Sequence, residues 1–277
     1  EKSVTTNRNG RNYKFNIKKF SKIKIKVTNK NKLSFAQMRK KYLLVIPARY
    51  HSSRLPGKPL INLKGIPMII RTCMQCSKVV PKKNIIVATD DKRILKICES
   101  FGFNCHLTKK KCLTGTDRVG EIAKIIKAEY YINVQGDEPI FNPQDILKLL
   151  EKIQKKHKDV LLGFTELKQK NLINNKNIPK VFFDKNFNLL FASRNPIFNK
   201  KKSQKHFRQV LAYSFPREKL NIFTKVKKRT FFENKEDIEI LRFLELGVNV
   251  QLIKMSNVSK SVDVKSDIKL VLNKIKN

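Results

Sequence analysis

Y-L-L-V-I-P-A-R-Y-H-S-S-R-L-P-G-K-P-L, residues 42–60, is the stretch whose reading decides the fold. Its first five residues, 42–46, form an unbroken apolar run that reads as a buried strand, and Pro47 ends that strand. A loop follows with three cations, Arg49, Arg54 and Lys58, two serines and the turn pair Pro56-Gly57. A helical pattern resumes near Pro67. A buried strand feeding a cationic, glycine-containing loop is where an open α/β sheet binds polyphosphate, because backbone N–H groups and cations converge there. The loop matches neither G-x-x-x-x-G-K-[ST] nor G-x-G-x-x-G. The competing reading is an exposed basic turn in a basic chain, where about one residue in five is Lys or Arg.

Working outward, strands and helices alternate. The pattern predicts a proline-opened helix over 67–79, a strand over 84–88 and a helix over 92–101 capped by Thr89-Asp90-Asp91. It continues with a short strand over 103–107, a helix from the Thr114-Gly-Thr-Asp-Arg118 cap to 128, a strand over 130–134 ending in Gln-Gly-Asp-Glu-Pro139, and a helix over 142–156. Strands joined by crossover helices imply an α/β class: a doubly wound, mostly parallel (mixed) nucleotide-binding sheet. After residue 159 the texture changes. Strands are expected over 160–167, 180–184, 188–193 and 208–215, a helix over 236–246, a strand over 248–255 and a last helix over 266–275. The strand-rich segment 180–215 is a candidate dimerisation lobe, and 168–177 and 199–206 read as exposed loops.

The 277 residues suffice for one large α/β domain, or one with a small satellite. No run of 18 apolar residues is present, so no membrane span is expected. The net charge of +39 points at first to nucleic acid, but 48 of the 61 basic residues are Lys and they are spread along the chain instead of forming an Arg-rich stripe. Such a field would still attract nucleotides and acidic sugars. The five cysteines fit no zinc spacing, and Cys73-Met-Gln-Cys76 lies in an apolar helical pattern, so buried thiols are expected. Residues 1–37 carry 11 basic residues and one acid with little periodicity. They read as a disordered basic leader outside the functional protein, which would begin at Met38; 38–277 would be the catalytic domain.

In a doubly wound sheet the ligand crevice lies beyond the carboxyl ends of the strands. Those ends offer Arg49/Arg54/Lys58, Thr89/Asp90, Gln135/Asp137/Glu138 and, after the late strand, Asp263. Two carboxylates beside a triphosphate and its cations suit Mg²⁺, which takes one or two carboxylates plus phosphate oxygens. Taken singly, Asp137 reads as well as a turn residue, and Asp263, in V-D-V-K-S-D, as a helix cap.

Residues 46–60 closely resemble the nucleotide loop of the 3-deoxy-manno-octulosonate cytidylyltransferases, the CMP-Kdo synthetases. The resemblance continues through Ile86-Val-Ala-Thr-Asp90, Thr114-Gly-Thr-Asp-Arg118, Asn133-Val-Gln-Gly-Asp-Glu-Pro139, Ser193-Arg194, Tyr213 and Ser261-Val-Asp263, covering roughly residues 42–275. It implies a cytoplasmic, homodimeric nucleotidyltransferase of lipopolysaccharide biosynthesis. The anomeric hydroxyl of an ulosonic acid, Kdo by default, would attack the α-phosphate of CTP and release pyrophosphate. By the same resemblance Arg54, Lys58 and Asp137 are catalytic, and Asp137 and Asp263 hold Mg²⁺. Pro47, Ala48, Arg49 and Gln135 meet the nucleotide, and Arg194, Gln209, Tyr213 and Glu239 the sugar acid. No contact is assigned to Arg118. Two departures stand out. Where relatives carry a sugar-contacting His in R-H-x-G-I-Y, this chain has Arg208-Gln209-Val-Leu-Ala-Tyr213. Where they read E-M-L-E-Q-L-R, it has Glu239-Ile-Leu-Arg-Phe-Leu-Glu245. Drift in the sugar half leaves room for another sugar acid, such as an amino-Kdo, a sialic-acid-like sugar or a capsular ulosonate. A basic nucleic-acid binder is the reading from a different class, expected to show a salt-sensitive gel shift that survives removal of 1–37.

Overall fold

The computed structural model describes residues 3–8, 11–16, 41–52, 54–169, 172–196 and 205–275. Within the leader, β1 (Ser3–Arg8) and β2 (Arg11–Asn16) pair as an antiparallel hairpin. The expectation of a structureless leader therefore fails over those residues. The sequence signal it overlooked is Asn9-Gly10, the dipeptide that favours two-residue hairpin loops. The remaining residues of 1–37 lie outside the described set.

The main body follows the alternation expected from residue 42 onward. β3 (Tyr42–Ala48) leads through the cationic loop and a small hairpin, β4 (Asn62–Leu63) and β5 (Ile66–Pro67), into helix α1 (Met68–Ser77). Next come β6 (Ile85–Thr89), α2 (Lys92–Ser100), β7 (Asn104–Leu107), α3 (Gly115–Ile125), β8 (Tyr130–Val134) and α4 (Pro143–Gln154). The second half supplies β9 (Val160–Glu166), β10 (Lys180–Phe183), β11 (Leu189–Ser193), β12 (Phe207–Pro216), α5 (Arg217–Lys225), α6 (Phe231–Glu236), α7 (Leu241–Glu245), β13 (Val250–Lys254) and α8 (Lys265–Lys274).

Nine strands make one mixed sheet in the order β11-β10-β12-β8-β3-β6-β7, with β9 joining β12 to β13. The β8-β3-β6-β7 portion is parallel, as is β9-β13, whereas β12 runs antiparallel to β8, β9 and β10. The apolar run of β3 is continuous because both faces are covered. Tyr42, Leu44 and Ile46 pack on the side of α1 and α4, and Leu43 and Val45 on the side of α3, α5 and α7. A third cluster joins Leu55, Ile61 and Leu63 of the loop region to Val262, Val271 and Ile275, fastening the C-terminal segment beside the cationic loop.

Two expectations change. β3 does not stop at Pro47; it runs to Ala48, pairing Pro47 with Ala88 and Ala48 with Thr89. Pairing with β8 ends at Val45–Asn133, so Pro47 lies beyond that ladder and its missing N–H leaves no gap there. The helix expected over 236–246 shortens to α7, because residue 236 instead ends α6, where Asp237 turns left-handed at φ 52°. The exposed carbonyls at that break are taken by Arg194, whose Nε donates to the Glu236 carbonyl and whose terminal nitrogen donates to that of Asp237, both at 2.8 Å. The loops expected at 168–177 and 199–206 are irregular where described, with residues 199–204 outside the described set.

Candidate active site

β3, β6 and β8 are parallel, so their carboxyl ends open on one side of the sheet, and the cationic loop starts there. β12 runs the other way and brings Gln209, Leu211 and Tyr213 across the same opening. The resulting cavity of about 610 Å³ is lined at one end by Pro47, Ala48, Arg49, Arg54 and Lys58, and at the other by Arg194, Gln209, Tyr213 and Glu239. Gln135, Asp137 and Asp263 lie between them, so every residue assigned to catalysis, metal, nucleotide or sugar acid borders one cavity, whereas Thr89, Asp90 and Glu138 do not.

The loop closes on itself first. Gly57 N donates to Tyr50 O at 3.1 Å, and Gly57 takes φ 65°, a conformation that costs glycine little. A 3₁₀ turn, Lys58–Leu60, then points Lys58 inward. Its Nζ lies 2.5 Å from Asp137 Oδ2 and 3.5 Å from Asp263 Oδ1, and Arg54 lies 3.2 Å from Asp263 Oδ1. Burial alone would lower the Lys58 pKa, but the two carboxylates more than offset it and hold the ammonium above its usual range. The two acids are neighbours because Val262 N donates to the Asp137 carbonyl at 3.0 Å.

The cap reading of Asp263 is excluded. Asp267, three residues on from Val264, accepts from the Asp263 and Val264 backbone N–H groups, which leaves the Asp263 carboxylate to Arg54, Lys58 and Ser261. Asp137 Oδ1 is buried without a partner. An orphaned carboxylate oxygen beside a second carboxylate suits a hard divalent cation. Among the described residues no group of three or more His, Cys, Asp and Glu converges on a metal position, so phosphate oxygens and water would complete the shell.

Glu138 sits behind this pair, 3% exposed, and its carboxyl is pushed up to about 8 by burial first and by Asp137 second. It is therefore mostly a neutral acid at neutral pH. Between its ordinary 4.5 and about 8 the folded chain keeps a proton that the unfolded chain releases, so stability falls as pH rises through that window. Glu138→Gln is expected to flatten this slope, narrowing the stability difference between the two ends of the window by on the order of 2 kcal/mol. Urea titrations of both proteins at each end check this, and parallel slopes would refute it.

At the other end, Gln209 donates to the Tyr213 hydroxyl at 2.7 Å. Glu239 accepts from Gln135 Nε2 at 3.1 Å and from the Thr116 backbone N–H at 3.0 Å, and burial is the main cause that raises its carboxyl. Gln135, assigned to the nucleotide, is thus bonded to a residue assigned to the sugar and stands at their boundary. The carbonyl of Pro47, a residue assigned to the nucleotide, accepts from Gly136 N at 3.2 Å. Gly136 is required there, since an added Cβ would come within 2.8 Å of that carbonyl. Arg49 is exposed and has no ion pair among the described residues, which leaves it available to an anion.

The strand end at Thr89/Asp90 does not reach the cavity as expected. Asp90 accepts from Tyr50 N at 3.1 Å and pairs with Arg118 at 3.2 Å. Arg118, 3% exposed, also donates to Thr108 Oγ1 and the Lys109 carbonyl. This ion pair braces the base of the loop. The departures at 242 and 245 are structural too. Arg242 is fully buried between Asp117 and Glu233, and Glu245 accepts from the backbone N–H groups of Phe232 and Glu233. Neither borders the cavity. The drift at the cavity thus narrows to Gln209 and Leu211. The cavity also contains residues that the sequence reading missed: Lys176, Asn177, Arg229, Glu236 and Asp237. Only their neighbourhood to Arg194 marks them, and no local pattern does.

Comparison with known proteins shows the family. A family model described as "Cytidylyltransferase" matches residues 43–255. The chain is 36% identical over 241 residues to the 3-deoxy-manno-octulosonate cytidylyltransferase of Chloroherpeton thalassium, covering 82% of this chain and 95% of that one. It is 34% identical to the 8-amino-3,8-dideoxy-manno-octulosonate cytidylyltransferase of Shewanella pealeana, again over 82% and 95% of the two chains. Among solved structures, a CMP:2-keto-3-deoxy-manno-octonic acid synthetase complexed with CTP superposes with a TM-score of 0.77 at 30% identity, covering 84% of this chain and 97% of that one.

Proposed function

Because the chain belongs to the cytidylyltransferase family, we propose that it couples CTP to 3-deoxy-manno-octulosonate, releasing pyrophosphate and forming the CMP-sugar. The observation that carries the reading is the junction of Lys58 and Arg54 with Asp137 and Asp263 at the mouth of a parallel sheet. In the free protein these cations hold the carboxylates in place. When a triphosphate enters, Lys58 and Arg54 can turn to its oxygens and neutralise the charge that develops on the leaving pyrophosphate. Asp137 and Asp263 are then free to hold Mg²⁺, which supplies Lewis-acid polarisation of phosphate and sugar oxygens. Arg194, Tyr213 and Gln209 orient the sugar acid, so that its hydroxyl faces the α-phosphate.

The same reading places the reaction in the cytoplasm, where CTP is made, and in the supply of activated sugar for lipopolysaccharide. No helix among the described residues is long and apolar enough to cross a membrane. We further read the chain as a homodimer through the strand-rich lobe. Leu190, on edge strand β11, is 63% exposed, and Phe187, Phe231 and Phe232 are exposed nearby. Leu190→Glu should convert a dimer to a monomer in sedimentation velocity; a monomeric wild-type protein would refute the dimer. The family match favours the enzyme over the nucleic-acid binder that the net charge suggested.

The direct test is pyrophosphate release from CTP and Mg²⁺ with a panel of Kdo, 8-amino-Kdo and sialic acid. Turnover with Kdo supports the reading. Preference for the amino sugar would reassign the substrate through Gln209, and silence with all three would overturn it.

A further inference from the structure

Lys180 is a buried cation that the reaction as described does not use. It is 1% exposed, and no carboxylate lies within ion-pair distance of it among the described residues. Its ammonium donates instead to two backbone carbonyls, Asn175 O at 2.8 Å and Arg194 O at 2.6 Å. Burial first and the nearby Arg194 charge second bring its pKa down to about 8, against the opposing pull of Glu236. An ammonium kept in the interior without a counter-ion is costly, and a hydrophobic side chain would fill the same space at lower cost. What the ammonium provides is a fixed distance between two chain segments.

Those segments both border the cavity. Residues 175–177 are each gripped by a different cation. Asn175 O accepts from Lys180, Lys176 O from Arg194 at 3.1 Å, and Asn177 Oδ1 from Arg54 at 2.9 Å. The middle of this segment therefore touches the cation assigned to the sugar acid, and its far end the cation assigned to the triphosphate. Glu236 completes the frame by accepting from the backbone N–H of Arg194 at 2.8 Å and from Ser193 Oγ at 3.1 Å.

We propose that residues 175–177 form a strap that holds the sugar-side cation Arg194 in register with the nucleotide-side cation Arg54, and that Lys180 is the positioning residue that anchors it. The inference rests on the assignment of Arg194 to the sugar acid. Lys180 acts through Arg194 and touches no reacting atom. Its removal orphans two carbonyls and frees the backbone of Arg194, so sugar binding should weaken. The cytidine end rests on β3 and the Lys58 turn and should be spared.

The test uses the full chain with Mg²⁺ and CTP. For Lys180→Met the KM for the sugar acid is expected to rise about tenfold, with the KM for CTP unchanged within about twofold. Lys180→Arg keeps the charge and both donors and should recover most of that loss. Asn177→Ala, at an exposed position, should raise the sugar KM about threefold without affecting folding, and it carries the test if Lys180→Met does not fold. Amide hydrogen exchange over 172–179 should speed up in Lys180→Met, a readout that needs no turnover. Unchanged exchange, an unchanged sugar KM, or a parallel rise in both KM values would overturn the proposal. A wild-type protein that makes no CMP-sugar while the exchange result holds would overturn the sugar assignment and leave the strap standing.

Discussion

Asp137→Asn is expected to lower kcat by about a hundred- to a thousandfold while the protein folds as before. Asn keeps the shape and one oxygen but removes the charge. Three consequences follow. The 2.5 Å contact with Lys58 loses its electrostatic part, so the ammonium shifts toward Asp263, its other acidic neighbour at 3.5 Å. The orphaned Oδ1 no longer belongs to an anion, which removes one of the two carboxylates proposed for Mg²⁺. Glu138, raised partly by Asp137, loses that neighbour and should titrate lower. Packing changes little, because the backbone bond from Val262 N to Asp137 O that joins the two segments is untouched. Pyrophosphate release and a thermal melt check this together. Activity within tenfold of wild type would remove Asp137 from the catalytic set, and a collapsed melting temperature would make its role structural.

The largest effect on stability is expected at Arg242. Its side chain is fully buried. It donates to Asp117 at 2.8 and 3.2 Å and to Glu233 at 2.6 and 2.7 Å, and its guanidinium lies 3.9 Å from the centre of the Phe223 ring. Arg242→Met leaves the volume roughly filled but strands Glu233, itself 1% exposed, without its partner. Removing one member of a buried ion pair costs about 3–5 kcal/mol, chiefly because the remaining charge stays desolvated. Urea unfolding should show that loss. A change under about 1 kcal/mol would mean that Glu233 protonates or that water reaches it. The network also fixes Asp117 beside Thr114, which caps α3, so the turn carrying Thr114 and Gly115 at the cavity wall should loosen as well.

Arg242 also shows where sequence reading reaches its limit. From the pattern alone, 239–245 looked like a sugar-contacting helix that had drifted. In three dimensions Glu239 remains at the cavity, while positions 242 and 245 face an ion network and a helix end. A reversal of charge between two positions reads as altered specificity until the partners are seen. The β-rich half was harder still. The strands over 180–184, 188–193 and 208–215 were legible from composition, but nothing local says that the last of them crosses antiparallel beside β8 and carries Gln209 and Tyr213 over the crevice. The leader hairpin was missed because its charge count outweighed the Asn-Gly turn signal.

By itself the sequence determined the parallel core and the cationic loop. A strand apolar on both faces must be covered on both sides, and a Gly-containing turn after it must present its cations at the strand ends. Such properties depend on neighbours in the chain. The tertiary structure alone decided that Asp263 is a partner of Lys58 and Arg54 and not a helix cap, that Pro47 stays within its strand, and that Lys180 spans two segments from the interior. Those outcomes depend on which distant groups are left without hydrogen-bond or charge partners once the core has closed, and no local pattern records that.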